Sequence, residues 1–216
     1  MKKVVGILII LLIVIMGCIP NVKITNKSYN DTTQNCLYNY SEFLRGNISV
    51  KDNNDMIEIS DIYSLEENYN RYTLFDSNKN GIPELHLSSM REYKIIECDE
   101  DTLQTIFSGS GYDTLLNNGA ILYNRFGSGP EHVSYTYTEL DEDNIVTQIT
   151  FDKYNTMNNI LDDDLYLFEG KEVTKEAFEE KTKNYLDVGS DMIIWSDYWT
   201  FLVKNYNNII SATRKL

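Results

Sequence analysis

The sequence predicts an α+β fold: a curved antiparallel β-sheet or meander with an N-terminal helix and C-terminal helices. Three observations predict it. Apolar residues recur at helical spacing early in the chain, short β-branched and aromatic runs fill the middle, and helical spacing returns after Tyr154.

The first helix is expected over Tyr29–Arg45, where Cys36, Leu37, Tyr40, Phe43 and Leu44 fall on one stripe and Gly46 follows as a stop. Strands are expected at residues 56–59, 72–75, 84–87, 93–98, 102–107, 120–123, 132–140 and 145–151. Their separation by Asn, Asp and Gly clusters such as Asn117-Asn118-Gly119 and Asp141-Glu142-Asp143-Asn144, with no helix between them, favours hairpins over parallel crossovers. Thr174 is placed to cap a helix that ends near Gly189, and a last helix is expected from Asp197 to Ala212.

The N-terminal segment reads as an export signal. Lys2 and Lys3 precede an apolar run from Val4 to Met16, which is too short to cross a bilayer as a helix, where about 20 residues are needed. Ile15-Met16-Gly17-Cys18 resembles the lipobox of bacterial lipoproteins, in which diacylglycerol is attached to the cysteine thiol and the chain is cut before it. The expected organisation is therefore a signal peptide at 1–17, a polar tether at 18–30 and a single extracytoplasmic domain at 31–216. Cys18 is the lipidation site, and the expected location is the outer face of the cell membrane. The alternative is an ordinary secretory signal with an incidental cysteine.

Cleavage would remove two lysines and change the formal charge from −14 to −16. A surface so acidic is repelled by phosphate backbones and anionic headgroups, so nucleic acid is excluded as a partner. The membrane is then touched through the lipid alone, and an extracellular ligand or protein remains as the partner. With Cys18 acylated, only Cys36 and Cys98 are left to pair; they read equally as a disulfide and as two small buried residues.

One segment carries recognisable coordination chemistry. Asp76-Ser77-Asn78-Lys79-Asn80-Gly81-Ile82-Pro83-Glu84 sets side-chain oxygens at alternate positions Asp76, Asn78 and Asn80, adds the Ile82 carbonyl, and ends on the Glu84 carboxylate. Such alternation lets a tight loop surround a hard cation, and Ca²⁺ is the expected ion. The loop is only EF-hand-like: Leu87 stands at the twelfth position in place of the bidentate Glu, and a strand follows rather than a helix. Its spacing is similar to the calcium loops of integrin-type propeller repeats. With two charged ligands the affinity is expected on the order of 10⁻⁴–10⁻³ M. The alternative is a metal-free Asx-rich turn.

Residues 72–85 together with Leu115–Tyr123 and Gly129-Pro130-Glu131-His132 resemble secreted lipoproteins of clostridia and related low-GC Gram-positive bacteria. The likeness runs from about Tyr38 to Trp195. It implies location and style of fold; the family has no established activity, and it carries Asp where this chain has Asn80.

Three function classes follow. The first is a noncatalytic ligand- or partner-binding lipoprotein with a calcium loop. The second is an extracytoplasmic hydrolase using His132 and nearby acids such as Glu131; no nucleophile motif such as Gly-x-Ser-x-Gly accompanies them. A candidate pocket is formed by Glu131, His132, Tyr135 and Tyr137, the tyrosines lining a groove that would suit a sugar or a peptide. The third is a structural envelope protein.

Overall fold

The computed structural model describes residues 29–53, 55–63, 70–99, 102–126, 132–144, 146–154, 164–198 and 200–201. The segment expected to be a signal peptide, Cys18 and the expected tether up to residue 28 lie outside these. Chain contacts divide the molecule into Met1–Asp31 and Thr32–Leu216, and the architecture below is that of the second unit.

Helix α1 (Tyr29–Leu44) buries Cys36, Tyr40, Phe43 and Leu44, the stripe set by its sequence. It ends as a Schellman motif. Gly46 adopts φ +75° and its N–H reaches the Phe43 carbonyl, while the Asn47 N–H reaches that of Glu42. Strands β1 (Val50–Asp52) and β2 (Asp55–Ile57) form a hairpin, followed by the single-turn α2 (Ile59–Ile62). Here the expected strand at 56–59 is corrected. The Asp61 carboxylate accepts the Glu58 N–H at 2.7 Å, so the chain turns into α2 at Ile59.

Strands β3 (Arg71–Phe75), β4 (Glu84–Ser88), β5 (Glu92–Asp99) and β6 (Thr102–Ser110) pair antiparallel in succession. With β13 (Ser196–Asp197) on one edge they form a seven-stranded sheet in the order β13-β3-β4-β5-β6-β1-β2. The β1–β6 contact is parallel, with Lys51 opposite Gln104. A second sheet holds β7 (Asp113–Leu115), β8 (Ile121–Phe126), β9 (His132–Leu140), β10 (Val146–Tyr154), β11 (Leu165–Phe168) and β12 (Lys171–Val173) as an antiparallel meander. The expectation of one curved sheet is thus corrected to two open sheets, with few helices.

Alternation of side chains explains the layers. On β5, Ile96 and Cys98 pack with α1 and α2, whereas Tyr93 and Ile95 join Leu115, Ile121 and Leu140 of the second sheet. The sheets therefore share one core face to face. The outer face of the second sheet buries Tyr137, Phe151 and Tyr166 against Phe178 of α3 (Lys175–Leu186). Thr174 caps α3 by accepting the Ala177 N–H at 3.2 Å. Tyr198, Thr200 and Phe201 are helical, and Asp197 accepts the Thr200 N–H; the remainder of the helix expected up to Ala212 lies outside the described residues.

Cys36 of α1 and Cys98 of β5 form a disulfide across the first core, with Cα atoms 5.5 Å apart. Of the two readings open to these cysteines, the structure takes the bridge.

Candidate metal centre

β4 is buried along its whole length, yet it reads Glu-Leu-His-Leu-Ser. Leu85 and Leu87 serve the first core, so Glu84, His86 and Ser88 point to the opposite face, toward the second sheet. In sequence this alternation looks like a solvated face. The second sheet covers it instead, and the loop between β3 and β4 is drawn into the interior with it.

The loop from Asp76 to Glu84 is folded by its own side chains. Asp76 Oδ2 accepts the Gly81 N–H at 3.0 Å, Asn78 Oδ1 accepts that of Asn80 at 3.1 Å, and Asn80 Oδ1 accepts that of Ile82 at 2.7 Å. Glu84 Oε2 closes the loop by accepting the Ser77 N–H at 2.7 Å. Lys79 takes a left-handed φ of +63°, and Gly81 takes φ +90°, where glycine serves so tight a path best. The Ile82 side chain packs against the first core and fixes the loop's far end.

These bonds do not exhaust the oxygens, because each carbonyl or carboxylate oxygen has two lone pairs. Among the described residues, Asp76 Oδ1 and Glu84 Oε1 are buried without any hydrogen-bond partner. Glu84 is 1 % exposed. Burial, and then the nearby charges of Asp76 and Glu97, push its carboxyl up to about 8, and burial raises Asp76 as well. No group of three or more His, Cys, Asp or Glu side chains is placed to hold a metal among the described residues. A cation here would therefore rely on the two carboxylates and on neutral oxygens from Asn78, Asn80 and the backbone, which suits a hard ion.

Behind the loop runs a buried polar chain that sequence reasoning missed. His86 Nε2 lies 3.2 Å from the Phe75 carbonyl and 3.0 Å from Ser77 Oγ, and His86 Nδ1 lies 2.7 Å from the Tyr93 hydroxyl. A carbonyl can only accept, so the hydrogen-bond network assigns the proton to Nε2 and leaves Nδ1 to accept from Tyr93. Ser77 thus faces an N–H rather than a basic lone pair, and both residues are shut away from solvent. The pair resembles a Ser–His dyad in distance alone. Full burial pulls the imidazole down to about 4 and keeps it neutral.

Among the described residues, His132 and the two tyrosines of the predicted pocket are not brought together. His132 stacks on Tyr154 with ring centroids 3.9 Å apart and pairs with Asp152 at 3.3 Å. Tyr135 and Tyr137 project from the other face of β9, beneath α3, where Tyr135 stacks on Phe151 and Tyr137 meets Tyr185. Helix α3 closes the groove they were expected to line. Glu131 and Cys18 lie outside the described residues.

The loop from Asp76 to Glu84, by contrast, has neighbours from the second sheet. Gly119, at φ +90°, lies so close that a Cβ there would meet the Ser77 Cα at 3.0 Å. Beside Asn78 and Lys79 a cleft of about 300 Å³ opens toward Glu139, Asp141 and Glu142. No family model matches the chain, and neither a curated protein nor a solved structure is found to be similar to it.

Proposed function

We propose that this chain is a lipid-anchored extracytoplasmic domain whose role is noncatalytic binding of a ligand or partner, and that a calcium ion held by Asp76, Asn78, Asn80, Ile82 and Glu84 stabilises it. The observation that carries the metal reading is the pair of buried carboxylate oxygens, Asp76 Oδ1 and Glu84 Oε1, left without a donor. Ionising Glu84 beside Asp76 leaves buried negative charge that calls for a positive partner, and a hard divalent ion supplies it by displacing the proton that Glu84 otherwise keeps up to about pH 8. A metal-free turn accounts for the Asx hydrogen bonds, but it supplies no positive partner for these two oxygens once Glu84 ionises.

The location rests on the basic start, the apolar run and Cys18. The Cys36–Cys98 bridge agrees with an oxidising compartment. Nothing favours the hydrolase: among the described residues His132 meets Asp152 and Tyr154, and the one close Ser–His pair has the wrong tautomer for a general base.

Two measurements check this reading. Cys18→Ala is expected to abolish incorporation of labelled palmitate and retention in the membrane fraction; label retained by the variant would remove the anchor from the account. Calcium at ten times its dissociation constant is expected to stabilise the fold by RT ln 11, about 1.4 kcal/mol, or a few degrees in Tm. Melting curves that coincide in millimolar calcium and in chelator would make the loop a metal-free turn.

A further inference from the structure

We infer that the turn between β9 and β10 is part of the calcium site: Asn144, backed by Glu97, holds the carbonyl end of Asn78 inward, so that ion binding clamps the second sheet to the first. This rests on the calcium reading of the loop and names a control on it that lies 66 residues away in sequence.

An amide has a donor end and an acceptor end, and only the acceptor end can face a cation. The donor end of Asn78 is held by two acceptors. Its Nδ2 donates to Asn144 Oδ1 at 2.9 Å and, more weakly, to Glu97 Oε1 at 3.4 Å. Asn78 is 1 % exposed, so water offers no alternative partner. The Asn144 amide is oriented in turn, because its Nδ2 donates to Glu97 Oε2 at 2.9 Å. Gln104 gives that carboxylate a further N–H at 3.2 Å. Glu97 is thereby satisfied by three amide donors, which fits a supporting role rather than a place among the ligands. Outer partners that fix a ligand's orientation change metal affinity typically ten- to hundredfold when removed.

The geometry crosses between layers. Asn78 belongs to the β3–β4 loop and Glu97 to β5 of the first sheet, while Asn144 ends the β9–β10 turn of the second. Asn144 sits at φ +61°, a conformation that asparagine tolerates and glycine adopts freely. Asn144→Gly therefore removes the amide without straining the turn.

The test is calcium titration by calorimetry on wild type and Asn144→Gly, with hydrogen exchange followed at residues 141–144 in calcium and in chelator. The calcium Kd is expected to rise at least tenfold in the variant. Wild type is expected to gain protection in the β9–β10 turn when calcium is added, and the variant to gain none. An unchanged Kd in the variant, or a lower melting temperature in chelator with the same Kd, overturns the inference and leaves Asn144 a turn residue. Should the variant fail to fold, absence of calcium-dependent protection at 141–144 in wild type overturns it equally. If wild type binds no calcium at all, the calcium reading falls and this inference with it.

Discussion

Reducing the Cys36–Cys98 disulfide is expected to destabilise the domain by about 4 kcal/mol, the loop-closure entropy for a separation of 62 residues. The bridge joins α1 to β5 across the first core, where both cysteines are almost fully buried. Without it, α1 is held by its apolar stripe and by the Tyr198 hydroxyl, which donates to the Leu44 carbonyl at 3.1 Å, and the unfolded chain regains the freedom of the whole segment between the two residues. Urea unfolding of the oxidised protein against the Cys36→Ala/Cys98→Ala variant measures the difference. A fall in Tm on the order of 10 °C is expected for a domain of this size. Coincident unfolding transitions would mean that the bridge does not form in solution. The readout is independent of any metal if both samples are held in chelator.

Glu84→Gln is expected to act with opposite signs in calcium and in chelator. The folded carboxyl titrates near 8 instead of near its ordinary value of 4.5. Between those values the folded state keeps a proton that the unfolded state has lost. Stability therefore falls as pH rises through that window and is lowest above pH 8. Glutamine cannot ionise, so at pH 8.5 in chelator the variant is expected to be more stable than wild type, by up to a few kcal/mol. With calcium the order reverses, because wild type regains a charged ligand and the variant has lost one of two. Urea melts at pH 8.5 in the two buffers check this. A variant less stable than wild type in both would show that Glu84 serves the fold rather than an ion.

Much of the local structure was legible because it depends on nearest neighbours along the chain. The stripe Cys36, Tyr40, Phe43, Leu44 and the stop at Gly46 specify α1, and the Asx pattern from Asp76 to Asn80 specifies the loop. Partnership between distant segments was not legible. Nothing in Val50-Lys51-Asp52 announces a parallel pairing with β6, and periodicity does not say where one sheet ends and another begins. Ile59 was misread because a β-rich run and a capped turn share the residues Glu58 and Ile59. The site was half visible for the same reason. Asp76 and Glu84 follow from spacing, whereas the burial of His86 requires a second sheet on top of β4, and the pairing of Asn78 with Asn144 requires both sheets at once.

The central claim is that Asp76 and Glu84 hold a calcium ion. Calorimetric titration of calcium into the purified protein, with Glu84→Gln as the control, tests it most directly. Saturable binding to wild type with Kd on the order of 10⁻⁴–10⁻³ M is expected, with weaker binding of magnesium and no binding to Glu84→Gln. Absence of binding to wild type at 10 mM calcium (about ten times the upper end of that range), or equal binding to both proteins, would contradict the account.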